Sequence, residues 1–225
     1  MALPLSGYVL AGGKSSRMGE DKARMRFRGV PLVELAIGKL RLGCAQVGIL
    51  GDRTDLAEFG EVVPDGVSDA GPLAGIVAAF GHAREEWILL LAVDVPVVPG
   101  GLLMAFARRV MDDPRRAAAG FLRVDGRVQP LISVVRRDLG GAVAAALECG
   151  ERKVLPVLMD AAECSGGVMV EEVEAIVWEA TAWERATREF WFANVNTREE
   201  FDRVERGVAL GGTSRSSAAS NGPAQ

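Results

Sequence analysis

Between Leu10 and Lys22 the chain reads Leu-Ala-Gly-Gly-Lys-Ser-Ser-Arg-Met-Gly-Glu-Asp-Lys, directly after the apolar run Tyr8-Val9-Leu10. Gly12, Gly13 and Gly19 allow a ligand to approach the backbone closely, with amide N–H groups turned inward. Lys14, Arg17 and Lys22 add cations to the same loop. A strand that opens into such a loop is suited to a polyphosphate, and a nucleoside triphosphate is the ligand this chemistry implies. The spacing is not that of a Walker A loop, because Gly13-Lys14-Ser15 would need a glycine where Tyr8 stands. It is not a dinucleotide fingerprint either, which would need a glycine in place of Lys14.

A second feature is Asp94, which follows the apolar run Trp87–Val93 and precedes Val95-Pro96. A carboxylate at the carboxyl end of a buried strand faces the ligand crevice. There it suits Mg²⁺ shared with triphosphate oxygens, since Mg²⁺ takes oxygen ligands and few protein groups. The competing role is a cap on the following helix, and the two are compatible. In Gly71-Pro72-Leu73-Ala74-Gly75, the glycines remove bulk near a helix start, where an anion or a flat base could sit, or where the helix packs tightly on a sheet. Asn194 and Asn196 alternate along an expected strand and so share a face, suiting a heterocycle or a metal-bound water; the alternative is a turn before a Thr197 cap. His82, the single histidine, reads as a surface or helix-end residue. Trp178, Trp183 and Trp191 read as packing residues, and Glu171, Glu172 and Glu174 as a solvated face.

The elements that must position these residues alternate between strand and helix. Tyr8–Leu10, Gln46–Leu50, Trp87–Val93, Val128–Val135 and Phe190–Val195 read as strands. Pro130 weakens the fourth. Helical patterns cover Val30–Leu42, Pro72–Ala83, Pro99–Met111, Asp138–Cys149, Lys153–Ala162, the second half of Glu171–Phe190, and Thr197–Arg206. Trp87–Val93 is apolar on both faces, as a central parallel strand covered by helices on each side must be. The expected fold class is α/β, a three-layer sandwich with a Rossmann-like, mostly parallel sheet. In such sheets ligands bind at the carboxyl ends of the strands. One domain over residues 1–206 is expected, followed by a disordered tail over 207–225, rich in Gly, Ser and Ala.

Composition narrows the chemistry. The 225 residues are 49% apolar, enough for a sizeable core, and the net charge of −4 gives no basic groove for nucleic acid. No run approaches a membrane span, and the start lacks the charged region of a signal peptide, so a cytoplasmic location is expected. Cys44, Cys149 and Cys164 share no metal-ligand spacing and fit a reducing compartment. A single histidine disfavours zinc hydrolases and histidine-based catalysis.

Taken together, the chain resembles the molybdenum cofactor guanylyltransferase family of the MobA type, whose fold is that of the nucleotide-diphospho-sugar transferases. The matching segments are Leu10-Ala-Gly-Gly13 with Arg17-Met-Gly19 and Asp21-Lys22, then Gly71-Pro-Leu-Ala-Gly75, Asp94-Val-Pro96, Gly150-Glu-Arg-Lys-Val154, and Phe192-Ala-Asn-Val-Asn-Thr197. The first loop is shared by many nucleotidyltransferases, and its combination with the late Asn-Val-Asn-Thr is far more specific. The resemblance implies GTP bound at Leu10, Ala11, Gly12, Gly13 and Lys22, with Gly71 nearby, guanine or ribose contacts near Asp65, Mg²⁺ on Asp94, and a pterin end at Asn194 and Asn196. It implies catalytic roles for Arg17, Lys22 and Asp94. From position alone, Arg152, with Lys153 second to it, is expected to clamp an incoming phosphate. The implied reaction moves GMP from GTP to molybdopterin, and the product passes to a molybdoenzyme or chaperone. CTP in place of GTP, another phosphorylated acceptor, or a non-catalytic nucleotide-binding protein are the rival readings. Two features depart from the family. Leu50 stands where it carries Asn, so one nucleotide contact is lost or moves to Asp52, and the segment Glu171–Phe190 is longer than the usual connection.

Overall fold

The computed structural model describes residues 2–12, 21–66 and 70–213, with side chains to residue 210. The strands are β1 (Leu3–Leu10), β2 (Arg26–Phe27), β3 (Val30–Pro31), β4 (Cys44–Leu50), β5 (Glu61–Val63), β6 (Trp87–Ala92), β7 (Ala119–Val124), β8 (Arg127–Arg136) and β9 (Val168–Glu172). The helices are α1 (Leu32–Leu40), α2 (Pro72–His82), α3 (Gly100–Met111), α4 (Gly140–Glu148), α5 (Val154–Glu163), α6 (Ala182–Ala186) and α7 (Arg198–Thr213). Seven strands form one sheet in the order β5-β4-β1-β6-β8-β7-β9, and β2 and β3 form a separate hairpin. Every neighbouring pair in the large sheet is parallel except the two that involve β8.

Two apolar layers follow from the period-2 alternation of β1 and β6. Leu5, Val9, Leu89 and Leu91 face a core shared with α1, α3 and α7. Tyr8, Leu10, Ile88 and Leu90 face one shared with α2, α4 and α5. All six residues of β6 are buried, the outcome for a strand covered on both sides. This is the three-layer α/β sandwich implied by the alternation of strand and helix.

The chain winds from β1 outward through β4 to β5, then returns across β1 to β6. That reversal is the topological switch point, where the loops after two adjacent strands diverge and leave a crevice. Here those strands are β1 and β6, whose last residues, Leu10 and Ala92, are directly paired. The Val93 N–H donates to Leu10 O at 3.2 Å and carries the join past the end of the ladder.

Several local expectations are corrected. Helix α1 begins at Leu32, because Val30 and Pro31 are taken into the hairpin with Arg26 and Phe27. Pro130 does lie within β8, an interior strand, at a register shift where Phe121 pairs with Ser133 and Leu122 with Gln129. An irregularity is where a residue without an N–H can enter a sheet. Phe190–Val195 is not a strand: one tight helical turn covers Arg188–Phe190, and Trp191 and Val195 are buried by packing against the core. Between β9 and α7 only Ala182–Ala186 is α-helical, opened by a capping box of Thr181 and Glu184. Helix α7 runs past Arg206 to Thr213, so residues 207–213 are not tail; Val208 is buried in the core. Residues 214–225 lie outside the described residues.

Candidate nucleotide site at the mouth of the sheet

The mouth is built from four segments. Leu10 and Ala11, both buried, end β1 and lead to exposed Gly12. Gly13, Lys14 and Arg17 lie outside the described residues. The far end of the loop is fixed by Asp21, whose Oδ1 accepts the Ala23 N–H at 3.1 Å and starts the helical turn Lys22–Arg24. That turn aims Lys22 across the mouth. Its Nζ donates to Asp94 Oδ2 at 2.9 Å and to Asn196 Oδ1 at 2.5 Å. The Lys22 and Asp94 side chains are 14% and 21% exposed, so the pair is reachable from solvent but not immersed in it.

Asp94 is held at both ends of its residue. Its carboxylate meets Lys22, and its backbone carbonyl accepts the Val195 N–H at 3.0 Å. It does not cap the following helix, whose N-cap is Pro99, with no side-chain cap bond. The capping alternative therefore drops out and the carboxylate stays directed at the mouth. Val195, buried between exposed Asn194 and Asn196, anchors the late Asn-Val-Asn segment. Asn196 reaches Lys22, whereas no bond joins Asn194 to Lys22 or Asp94. The Asn-Thr end of this segment is itself braced: Glu200 Oε2 accepts the N–H groups of Asn196 at 2.8 Å and Thr197 at 3.0 Å, and Thr197 Oγ1 accepts the Glu200 N–H at 3.1 Å. Thr197 thus caps α7.

The remaining sequence candidates fall around the rim or away from it. Gly71 is the N-cap of α2 at φ +67°, a conformation that favours glycine, and Pro72 occupies the first turn. Since α2 follows β5, its N-terminus opens on the same edge as the strand ends. Gly75 serves packing instead: a Cβ there would sit 3.3 Å from Leu50 Cβ. Leu50 is consequently core rather than a ligand contact, and Asp52 is exposed. Asp65 lies two residues past β5 and is half-buried. Arg152 is exposed, its guanidinium donating to Leu147 O and Glu151 O beside the end of α4; Lys153 is exposed at the N-cap of α5.

Sequence reasoning missed Arg53. From the loop after β4, its guanidinium donates to Ala11 O at 3.2 Å, to Asp55 at 2.8 Å, and to Asp21 Oδ2. One side chain therefore ties the beginning of the glycine-rich loop to its end. The pairing with Arg53 holds the Asp55 carboxyl down at about 2. The available signal was an arginine within the turn that leaves a strand beside β1; nothing in its neighbours names its partners.

His82 is far from this chemistry, at the opposite end of α2. Its Nδ1 lies 3.0 Å from the Tyr8 hydroxyl and its Nε2 3.1 Å from Glu61. Burial pushes the Tyr8 phenol up to about 12. Of the tryptophans, Trp191 is core, but Trp178 and Trp183 are exposed, contrary to a packing role for all three. Glu171 is buried against Arg109 at 2.6 Å, so the glutamate run is not a uniformly solvated face.

The sequence matches the MobA-like NTP transferase domain over residues 7–162. The chain belongs to that family. Among its relatives, a molybdenum cofactor guanylyltransferase of Serratia proteamaculans is 31% identical over 164 residues, covering 70% of this chain and 80% of its own length. One from Photobacterium profundum is 33% identical over 155 residues, covering 67% of this chain and 78% of its own length. Among solved structures, molybdopterin-guanine dinucleotide biosynthesis protein A of Archaeoglobus fulgidus superposes with a TM-score of 0.73 at 22% identity, covering 91% of this chain and 99% of its own. A nucleotidyl transferase of Methanothermobacter thermautotroptrophicus superposes with a TM-score of 0.66 at 20% identity, covering 92% of this chain and 98% of its own. Those last two likenesses establish the shared fold. The family match spans β1 to α5, and so includes the glycine-rich loop, Arg53 and Asp94.

A divalent ion is typical of this reaction class, and Asp94 is a carboxylate at the mouth that could help to hold one. No cluster of three or more His, Cys, Asp or Glu side chains that could hold a metal occurs among the described residues. A single carboxylate at a strand end matches Mg²⁺ that takes most of its oxygens from phosphates and water. Nor does any helix among the described residues have the length and apolar character to cross a membrane.

Proposed function

We propose that this chain transfers GMP from GTP to the terminal phosphate of molybdopterin, forming the guanine dinucleotide form of the cofactor and releasing pyrophosphate. Family membership and the convergence of Lys22, Asp94 and Asn196 at the switch point support the reading, and the convergence carries it. The triphosphate lies along the loop that begins at Leu10-Ala11-Gly12, with the base toward Asp65 and the N-terminus of α2 at Gly71. The acceptor enters from the side of Asn194 and Asn196, and Arg17, by its place in the sequence of the glycine-rich loop, adds a second cation for the phosphates.

The chemistry asks little of the protein in proton transfer. A phosphate monoester has a second pKa near ~6, so the acceptor oxygen is already anionic at neutral pH. That oxygen forms a new bond to the α-phosphorus while the bond to the bridging oxygen of the departing pyrophosphate breaks. The side chains must hold the reactants in line and neutralise charge that gathers on the phosphoryl and leaving oxygens. Lys22 supplies a localised cation, and Asn196 keeps that cation aimed when Asp94 turns to another partner. When bound at Asp94, Mg²⁺ would supply further charge neutralisation on the triphosphate. The product passes to a molybdoenzyme or chaperone in the cytoplasm, a setting that suits the free thiols of Cys44, Cys149 and Cys164.

The test is incubation of the protein with molybdopterin, Mg²⁺ and each nucleoside triphosphate in turn, following pyrophosphate and the dinucleotide product. Product with GTP alone is the expected result. Turnover only with CTP would reassign the base, and GTP binding without pyrophosphate from any acceptor would replace catalysis with nucleotide carriage.

A further inference from the structure

The turn that carries Asp94 has an unusual deficit of backbone partners. It runs Asp94-Val95-Pro96-Val97-Val98-Pro99, and its two prolines have no N–H. Val95 and Pro96 are buried, so their carbonyls face little water and need donors from elsewhere in the protein. Those donors come from one side chain. Lys39 Nζ, in the last turn of α1, donates to Val95 O at 3.1 Å and to Pro96 O at 2.7 Å.

The surroundings of Lys39 show that this amine is committed to the turn. No carboxylate among the described residues pairs with it, and burial alone brings its pKa down to about 7. Helix α3 starts against it: a Cβ on Gly100 would meet Lys39 Cα at 3.3 Å and Leu42 Cδ1 at 2.5 Å. The missing side chain at Gly100 lets the end of α1 close on the turn. An ammonium carries three N–H groups and a neutral amine two, so both forms can serve the two carbonyls.

We infer that Lys39 is a positioning residue for catalysis, tethering the turn through Val95 O and Pro96 O so that the Asp94 carboxylate is presented to the mouth. With the Val93 bond to Leu10 and the Val195 bond to Asp94, the tether fixes the turn on three sides. The inference rests on the proposed role of Asp94 for its catalytic consequence, and on geometry alone for the tether.

Two measurements on the full chain separate these parts. Lys39→Met keeps the aliphatic stem and removes the donors. In ligand-free protein, amide hydrogen exchange over 93–98 is expected to accelerate at least tenfold, while β1 and the body of α1 stay as in the wild type. Lys39→Arg, which retains a cation with several N–H groups, should recover most of the protection. In the transfer assay, Lys39→Met should raise the Mg²⁺ concentration for half-maximal rate about tenfold, with kcat at saturating Mg²⁺ within twofold. Ile37→Val, a buried change in the same helix, should leave both readouts unmoved. Unchanged exchange over 93–98, or acceleration spread equally over α1 and β1, would overturn the tether. A local acceleration with an unaltered Mg²⁺ requirement would overturn the positioning role. Absence of guanylyl transfer in the wild type would instead defeat the functional reading and leave the exchange result to judge the tether.

Discussion

Replacing Asp94 with Asn tests the centre of the site with the least disturbance to its frame. The amide fills the same volume, and the main-chain bond from Val195 to Asp94 O is untouched. What disappears is the negative charge 2.9 Å from Lys22 Nζ. At an effective dielectric of about 20, two unit charges at that separation attract by roughly 6 kcal/mol before desolvation is charged against them. Both side chains retain some solvent contact and Lys22 keeps Asn196 as an acceptor, so the net loss of fold stability is expected to be only about 1 kcal/mol. Catalysis should suffer more, because the carboxylate that would share Mg²⁺ with the triphosphate is gone. A lost electrostatic contact to developing charge costs about 3–4 kcal/mol in the barrier, or roughly two to three powers of ten in rate. Pyrophosphate release under saturating GTP and molybdopterin, titrated with Mg²⁺, reads the rate, and a thermal melt reads the fold. A folded Asp94→Asn protein whose Mg²⁺-dependent rate stays within threefold of wild type would refute the assignment of Asp94.

Three further outcomes follow from the same geometry. Lys22→Met should lower single-turnover transfer about a hundredfold with a modest change in GTP affinity, since its charge matters most as the leaving group departs; an equal loss in both would mean that Lys22 serves binding alone. Arg53→Ala should raise the KM for GTP about tenfold, measured by initial rates, by releasing Ala11 and Asp21 from a common partner. Lys39, brought from 10.5 to about 7 by folding, makes the unfolded chain bind an extra proton between those values. Lys39 therefore contributes a rise in stability with pH across that window and nothing below it; urea denaturation from pH 7 to about 8.5, below the range in which the buried Cys44 thiol opposes it, should show a steeper rise in the wild type than in Lys39→Met.

The parts of the site that sequence revealed share a physical reason. Tyr8–Leu10 and Trp87–Ala92 are short apolar runs whose endings are chemically abrupt, in glycine for the first and aspartate for the second. Each such ending marks a strand emerging from the core. Arg53 was hidden because its significance lies in partners 42 and 32 positions away, Ala11 and Asp21, which only the β1–β4 pairing brings near. Strands β7 and β9 were missed because Ala119–Val124 and Val168–Glu172 are brief and lack clean alternation. They are strands because each has a neighbour to complete. Phe190–Val195 failed in the opposite way: its large apolar residues mimic a strand, yet Trp191 and Val195 are buried, and Phe190 and Phe192 partly buried, by packing against the core without joining the sheet. Tertiary context, rather than local preference, decided these cases.

The link between Val195 and Asp94 has a consequence for biosynthesis. The strand end at Leu10 is made well before Val195 and Asn196, which brace Asp94 and Lys22 from the other side. An unfinished or clipped chain that stops before position 195 keeps the β1 and β6 ends but lacks both the hydrogen that steadies the aspartate and the amide that guides the lysine. The Lys22–Asp94 pair therefore reaches its braced arrangement only once the chain has grown past Asn196.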